Sequence, residues 1–313
     1  MAEGGIEVWR GGVNTWECDE MGHLNVRYYV AIAMEGLAGF CVRVGLPGAF
    51  RTGAGASLVV REHHIRYLRE ARSRAALHMT CGLVSMGESD AVILQVLTHS
   101  LTGEPCASFL TRVEHVTAKE MRPFPWPARV REEAGRWNSA IPDFAAPKGI
   151  LTGPPKQEPS LETAEAIGLM RLSAGVIGPR DLDAFGRMEP HHFIGRVSDS
   201  VLRIVGPFRE AVVDHADERP QNVGGAVLEY RVVYLDWPRG GDLFDIRSGV
   251  SGVDGRRQGM AHWMLDPVSG RAWGMAEAAV VTFDLDKRKI VPISDAAQAV
   301  IRERVKPQLG FAA

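Results

Sequence analysis

Short runs of alternating or continuous apolar residues fill the first hundred positions, broken once by a segment of helical period. Ile6–Trp16 reads as a strand. From Val26 onward, Tyr29, Val30, Ala33, Leu37 and Phe40 recur at helical spacing, which predicts a helix to about Val44 with one buried face. Asn25 stands at the N-cap, and Val44-Gly45-Leu46-Pro47-Gly48 supplies the stop. Gly36 and Gly39 each cost a helix roughly 1 kcal/mol. A helix that keeps both is expected to pack closely, as against the concave face of a sheet. Ser57–Leu68, Ala75–Met86, Ala91–Ser100 and Pro105–Val116 read as four further strands, and their short connections predict an antiparallel meander.

Beyond Thr117 the pattern is lost. Eight prolines lie between Pro123 and Pro159, and Arg129–Ser139 reads as a short helix among them. A loose tether and a packed crossover both fit this stretch. After it the first pattern returns. Asp181-Leu182-Asp183-Ala184-Phe185-Gly186-Arg187-Met188 lies over Glu17-Cys18-Asp19-Glu20-Met21-Gly22-His23-Leu24, 164 residues on. Tyr234-Leu235 and Val268-Ser269-Gly270 repeat Tyr67-Leu68 and Leu101-Thr102-Gly103 at an offset of 167. Two copies of one unit are expected, with a small insertion in the second around Pro207 to Asn222. The second copy adds strands at Val227–Leu235, Leu243–Val253, Gly259–Leu265 and Ala272–Phe283. A final helix at about Ser294–Val305 is capped by Ser294 or Asp295. The expected domains are 1–117, a proline-rich linker at 118–162, and 163–313.

Composition narrows the class. The chain has 313 residues, 45% of them hydrophobic and 24% charged, as in ordinary globular proteins. A net charge of −2 gives no electrostatic case for nucleic acid or an anionic membrane. No apolar run reaches transmembrane length, and Met-Ala-Glu-Gly-Gly lacks the regions of a signal peptide. Cys18, Cys41, Cys81 and Cys106 include no close-spaced pair, so they read as reduced thiols of a cytoplasmic protein. Without CxxC or HxxxH spacing, no metal site is expected.

The chemistry concentrates at Glu17–Tyr29, where a strand delivers carboxylates to the start of a helix. A carboxylate there lies beside aligned, unpaired backbone N–H groups, an arrangement suited to reaction at a carbonyl. Glu17-Cys18-Asp19, Gly22-His23-Leu24-Asn25, Tyr29 and Glu35 resemble the motif of the hotdog-fold acyl-CoA thioesterases of the 4-hydroxybenzoyl-CoA thioesterase type. Tyr67-Leu68-Arg69-Glu70, and Tyr234-Leu235 followed by Gly241-Asp242, resemble that family's second strand. The resemblance implies an α+β fold of two tandem hotdog domains, each a curved antiparallel sheet around a long helix. It implies an intramolecular pseudo-dimer; further homo-oligomerisation stays open. It also carries the catalytic acid to Asp19 and the carbonyl-polarising amide to the helix start near Asn25-Val26.

The other motif residues have plainer roles to weigh. Asp19 also suits a structural turn, and the resemblance tips it toward catalysis as nucleophile or general base. His23 reads first as a hydrogen-bonded residue that shapes the turn, Asn25 as the N-cap, and Gly22 as the holder of an unusual backbone conformation. Glu35 is a second candidate acid, against the reading of a solvated glutamate. In the second copy Arg187, Glu189 and Asp199 replace His23, Asn25 and Glu35, while Asp183 keeps the acid. That half is expected to be degenerate, with an active Asp183 left open. His191 and His192 fall in the first turn of its helix, facing ligand or sheet. Arg61, Arg66, Arg69, Arg72 and Arg74 read as a solvated sheet edge or as contacts for coenzyme A phosphates. The expected function is hydrolysis of an acyl-CoA to free acid and coenzyme A, without metal or organic cofactor. A non-catalytic acyl-CoA binding or regulatory protein, and an acyl-CoA hydratase or dehydratase, are the rivals.

Overall fold

The computed structural model describes residues 5–313. The first four residues, which bear on the leader reading, lie outside them. In chain order the elements of the first copy and linker are β1 (Ile6–Gly12), α1 (Val26–Arg43), β2 (Ala56–Tyr67), β3 (Ala76–Met86), β4 (Asp90–His99), β5 (Pro105–Thr117) and α2 (Ala128–Gly135). Then come α3 (Leu161–Ala166), β6 (Met170–Val176), α4 (His191–Ser198), α5 (Leu202–Asp214), β7 (Val223–Tyr234), β8 (Leu243–Val253), β9 (Gln258–Leu265), β10 (Ala272–Asp284), β11 (Lys289–Ile290) and α6 (Asp295–Arg302). The chain divides into two compact units. The first holds the described residues up to Ala146 together with Gly178–Gly195, and the second holds Pro147–Ile177 and Arg196–Ala313.

In the first unit the antiparallel strand order is β1-β3-β4-β5-β2. Only β3-β4-β5 is a meander. β2 lies on β5 and not on β3, because the chain from Leu68 to Ala75 makes no hairpin turn. Its backbone bonds the loop before α1 instead, with Leu24 donating to Ala71 O (2.7 Å) and His23 bridging Arg72. α1 buries Tyr29, Val30, Ala33, Leu37 and Phe40 as its periodicity predicts, while Val26 stays half-exposed. The two helix glycines mark close approach: a Cβ on Gly36 would strike Met79 of β3, and one on Gly39 would strike the Val8 carbonyl of β1. The Gln95 amide donates to Ala33 O (2.6 Å) and its carbonyl accepts from Thr111 Oγ1 (2.6 Å), so this buried amide is satisfied beneath the helix.

The second unit repeats the plan with order β7-β10-β9-β8-β6, and β11 added to β10. Even the bulges recur: Glu7/Trp9 and Arg171/Ser173 in the first strands, Leu83/Ser85 and Val250/Gly252 in the third. The helix does not recur intact. Its counterpart breaks between Ser198 and Leu202 and carries Pro207 inside α5. A proline there removes a backbone hydrogen bond, which suits a helix already interrupted.

The linker is a packed crossover. Phe144 and Ala145 cover Leu94 and Val96, the β4 residues that alternate with Gln95 and so lie on the face away from α1. Val130 and Ala134 of α2 are buried. In the second unit Ile150, Ala164, Leu309 and Phe311 cover Trp263 and Leu265. Glu229, buried on β7, accepts the N–H groups of Lys148 (3.1 Å), Gly149 (2.7 Å) and Ile150 (3.4 Å).

Two measurements follow from this packing. Glu229→Ala strands three backbone donors and is expected to lower stability by about 2–4 kcal/mol in urea unfolding, with a smaller loss for Glu229→Gln, which keeps an acceptor. His262 occupies in the second copy the place of Gln95, is fully buried, and contacts Ser248 Oγ through Nδ1 at 2.8 Å. Burial depresses its pKa to about 4 from 6.5. The unfolded chain therefore binds a proton that the folded chain refuses, and stability falls as pH drops from 6.5 toward 4. His63, pushed to about 3 by burial, adds to the same slope. Between pH 6.5 and 5 the urea midpoint should fall with acid, and His262→Gln should flatten that dependence by up to one proton, about 1.4 kcal/mol per pH unit.

Candidate functional site

The loop between β1 and α1 is closed by one side chain. Asp19 Oδ1 accepts the N–H groups of Met21 (2.9 Å) and His23 (3.0 Å), while its own N–H donates to His23 O (2.8 Å). This turn needs a left-handed residue, and Gly22 supplies it with φ +76°. The loop is tied at both ends, by Asn25 N–H to Glu17 O (2.9 Å) and by Leu24 to Ala71 O. Asp19 is half-buried. Among the described residues no group bonds its second oxygen, Oδ2.

α1 begins directly after this turn. The Asn25 side chain accepts from the N–H of Arg27 (3.0 Å), as an N-cap does. That occupies the Arg27 amide and leaves the N–H of Val26 without an acceptor among the described residues. His23 is buried, and its Nε2 lies 3.2 Å from Glu70 Oε2. Tyr29 lies beneath the turn, its hydroxyl accepting from Ala71 N–H (3.3 Å) and its ring edge-on to Tyr67. Burial raises its pKa far above the ordinary tyrosine value. Glu35 is not brought to this cluster. It is exposed on α1 and accepts from the Trp9 indole N–H (2.7 Å).

The second motif folds into the same turn with a different outcome. Asp183 Oδ1 accepts from Phe185 N–H (2.8 Å) and Arg187 N–H (2.9 Å), and Gly186 has φ +75°. Its Oδ2, however, is taken by Arg187, which donates from Nε (2.8 Å) and Nη2 (2.8 Å). Arg187 is buried and its partner carboxylate is only partly exposed. One exchange, His23 for Arg187, thus separates an aspartate with an open oxygen from one with none.

The remaining acids of the second motif are also engaged. Glu189 pairs with His191 (3.2 Å), and the hydrogen bond from His191, with His192 and Arg27 nearby, holds its carboxyl below the usual range. Asp181 is buried, accepts from Gly178 N–H (2.8 Å), and lies 3.3 Å from His192 Nδ1. Arg27 Nη2 approaches the same His192 nitrogen at 3.1 Å. Sequence reasoning gave Arg27 no role, because its partner lies 165 residues away and no local spacing announces it. Of the five arginines near β2 and β3, Arg61 pairs with Glu114, Arg66 donates to Ala146 O, and Arg69 pairs with Glu104. Arg72 stands 3.8 Å from Glu70. Among the described residues no group of three or more His, Cys, Asp or Glu side chains could hold a metal ion, and no helix is long and apolar enough to cross a membrane.

The same aspartate turn leading into a helix, and the same antiparallel strand order in both copies, are the build of a tandem hotdog protein. The chain belongs to the thioesterase-like superfamily, whose family model matches residues 13–134 and 177–301, one stretch in each copy. Among solved structures it is similar to a protein assigned as an oleoyl thioesterase from Lactobacillus plantarum, with TM-score 0.66 and 10% identity over 87% of this chain and 94% of that one. It is also similar to the 12:0-ACP thioesterase of Umbellularia californica (TM-score 0.65, 14% identity, 88% and 94% covered). A third is an acyl-ACP thioesterase of Bacteroides thetaiotaomicron (0.61, 8%, 88% and 98%). At such identities the likeness is one of fold. No curated protein matches the chain in sequence.

The two turns should differ in what their fourth residue is worth. Arg187→Ala removes both side-chain bonds to Asp183 and is expected to cost about 1–3 kcal/mol in urea unfolding. His23→Ala breaks a pair whose partner Glu70 is over a third exposed, and should cost about 1 kcal/mol or less.

Proposed function

We propose that this protein is an acyl-CoA thioesterase in which Asp19 acts and Asp183 does not. The observation that carries this reading is the open Oδ2 of Asp19 set against the fully engaged carboxylate of Asp183. Asp19 attacks the thioester carbonyl to give a mixed anhydride that water then cleaves, or it takes a proton from the attacking water. In either case water supplies the oxygen of the product acid and coenzyme A leaves as the thiol. The Val26 amide polarises the carbonyl at the positive end of α1. Gly22, His23 and Asn25 shape the turn and the cap, and Glu35 anchors α1 to Trp9. The two hotdog modules, 1–117 and 163–313, are joined by 118–162 and function as a pair within one chain. All four cysteines are thiols, three of them buried, which suits a reducing, cytoplasmic setting. No tightly bound cofactor takes part in this scheme.

Thiol release from a panel of acyl-CoAs, followed with a thiol reagent, tests the reading. Acyl-ACP belongs in the same panel, since two proteins of similar fold are named for it. Asp19→Asn is expected to lower kcat by about 10²-fold or more with the urea midpoint little changed, and Asp183→Asn to stay within about three-fold of the parent. Near-parental turnover in the Asp19→Asn protein would remove Asp19 from the mechanism. Tight acyl-CoA binding without thiol release would make the chain a binding module, and release from acyl-ACP alone would correct the substrate.

A further inference from the structure

Arg27 is the residue after Val26, and its side chain does not run back along α1. Its Nη2 reaches His192 Nδ1 at 3.1 Å. Its stem crosses Gly195 in the middle of α4, where a Cβ would come within 2.8 Å of Arg27 Cδ and the arginine would have to shift. His192 in turn lies 3.3 Å from Asp181 Oδ1, and both residues are buried, at 4% and 2% exposure. Asp181 is fixed by the Gly178 N–H on its other oxygen and by its place in the turn before the second motif. A continuous chain of contacts therefore runs from Gly178 through Asp181, His192 and Arg27 into the first turn of α1.

The first copy holds no such chain. Its counterparts of Asp181 and His192 are Glu17, which accepts from Asn14 N–H (2.7 Å), and Tyr28, whose ring lies under Arg27 with the guanidinium carbon 5.7 Å from its centre. At these two positions the second motif thus carries a buried acid and a buried imidazole where the first has Glu17 and Tyr28, and His192 contacts the residue next to the candidate carbonyl-polarising amide.

We propose that the second motif, closed as a reaction site by Arg187, serves as a strut for the first: Asp181, His192 and Arg27 are positioning residues that hold the first turn of α1, and with it the Val26 amide, in place. This rests on the thioesterase reading above. Helix first turns lack the i→i−4 bonds that hold later turns, so they move unless something else ties them. Arg27 is tied twice, its amide by Asn25 Oδ1 and its guanidinium by His192. Displacements of about 1 Å in a polarising group cost on the order of 10²-fold in rate. Nδ1 lies within reach of both the guanidinium (3.1 Å) and the Asp181 carboxylate (3.3 Å), and the carboxylate offsets the arginine charge.

Three variants test the strut. Arg27→Met keeps the stem over Gly195 and removes the hydrogen bond to His192. His192→Phe keeps the bulk and removes the nitrogen. His192→Asn returns a polar group near the Nδ1 position. Arg27→Met and His192→Phe are expected to lower kcat about 10- to 100-fold with KM within about three-fold, and His192→Asn to recover to within about three-fold of the parent. The backbone amides of Arg27 and Tyr28 should exchange hydrogen faster in the first two variants and at the parental rate in the third, whether or not any substrate is turned over. Parental kcat and parental exchange in His192→Phe would overturn the strut. So would a rise in KM alone in Arg27→Met, which would make Arg27 a substrate contact, or a His192→Asn protein as impaired as His192→Phe, which would make the effect one of packing. Loss of turnover in the parent protein counts against the thioesterase reading and leaves the exchange measurement to judge the strut.

Discussion

One carboxylate oxygen accepting two backbone N–H groups sets the geometry on which both copies of this fold depend. Asp19 Oδ1 binds the amides of Met21 and His23, and Asp183 Oδ1 binds those of Phe185 and Arg187. Each turn also requires a left-handed glycine, Gly22 and Gly186. The turn leads each chain segment into a helix, and in the first copy the helix-start N–H of Val26 has no acceptor among the described residues, whereas its counterpart in the second copy is Pro190, which has no N–H. Because Oδ1 is spent on the backbone, the chemistry of each site is decided by what happens at Oδ2.

The residue four positions after the aspartate makes that decision. A histidine at position 23 reaches away to Glu70 and leaves Oδ2 open. An arginine at position 187 folds back and covers Oδ2 with two converging donors, Nε and Nη2. The same backbone therefore supports a proposed reaction site in one copy and a closed ion pair in the other. Closure need not leave the second motif idle, since its neighbours His192 and Asp181 reach Arg27 of α1.

Much of this was legible in order along the chain. The strands other than β6 and β11, α1 with its Asn25 cap, the terminal helix with its Ser294 cap, and the repeat at offsets of 164 and 167 follow from periodicity and local chemistry, whereas β6 at Met170–Val176 is not among the strands expected from the sequence. Gly36 and Gly39 announced a close helix-to-sheet approach, and they meet Met79 and Val8. Less was legible where partners are distant. The placement of β2 on β5 departs from the simple meander, because the β2–β3 connection is used to bond the loop before α1. Short elements such as α3 and β11 carry too few residues for a periodic signal. The proline-rich stretch gave no sign of which way it would go, and its packing depends on Glu229, some eighty residues further on.

The sequence by itself determined the type and order of the main elements, the doubling of the unit, and the identity of Asp19 as the acid to watch. The elements depend on spacing within a dozen residues, where covalent geometry limits the outcomes, while the doubling depends on motifs that recur at offsets of 164 and 167 and Asp19 on the family resemblance those motifs carry. Only the tertiary structure decided that Asp19 keeps an open oxygen while Asp183 does not, that Glu35 is anchored to Trp9 away from the turn, and that Arg27 answers to His192. These depend on which side chains the folded backbone brings within about 3 Å, across separations such as the 165 residues between Arg27 and His192, and hydrogen bonds of that range leave no periodic trace in a single sequence.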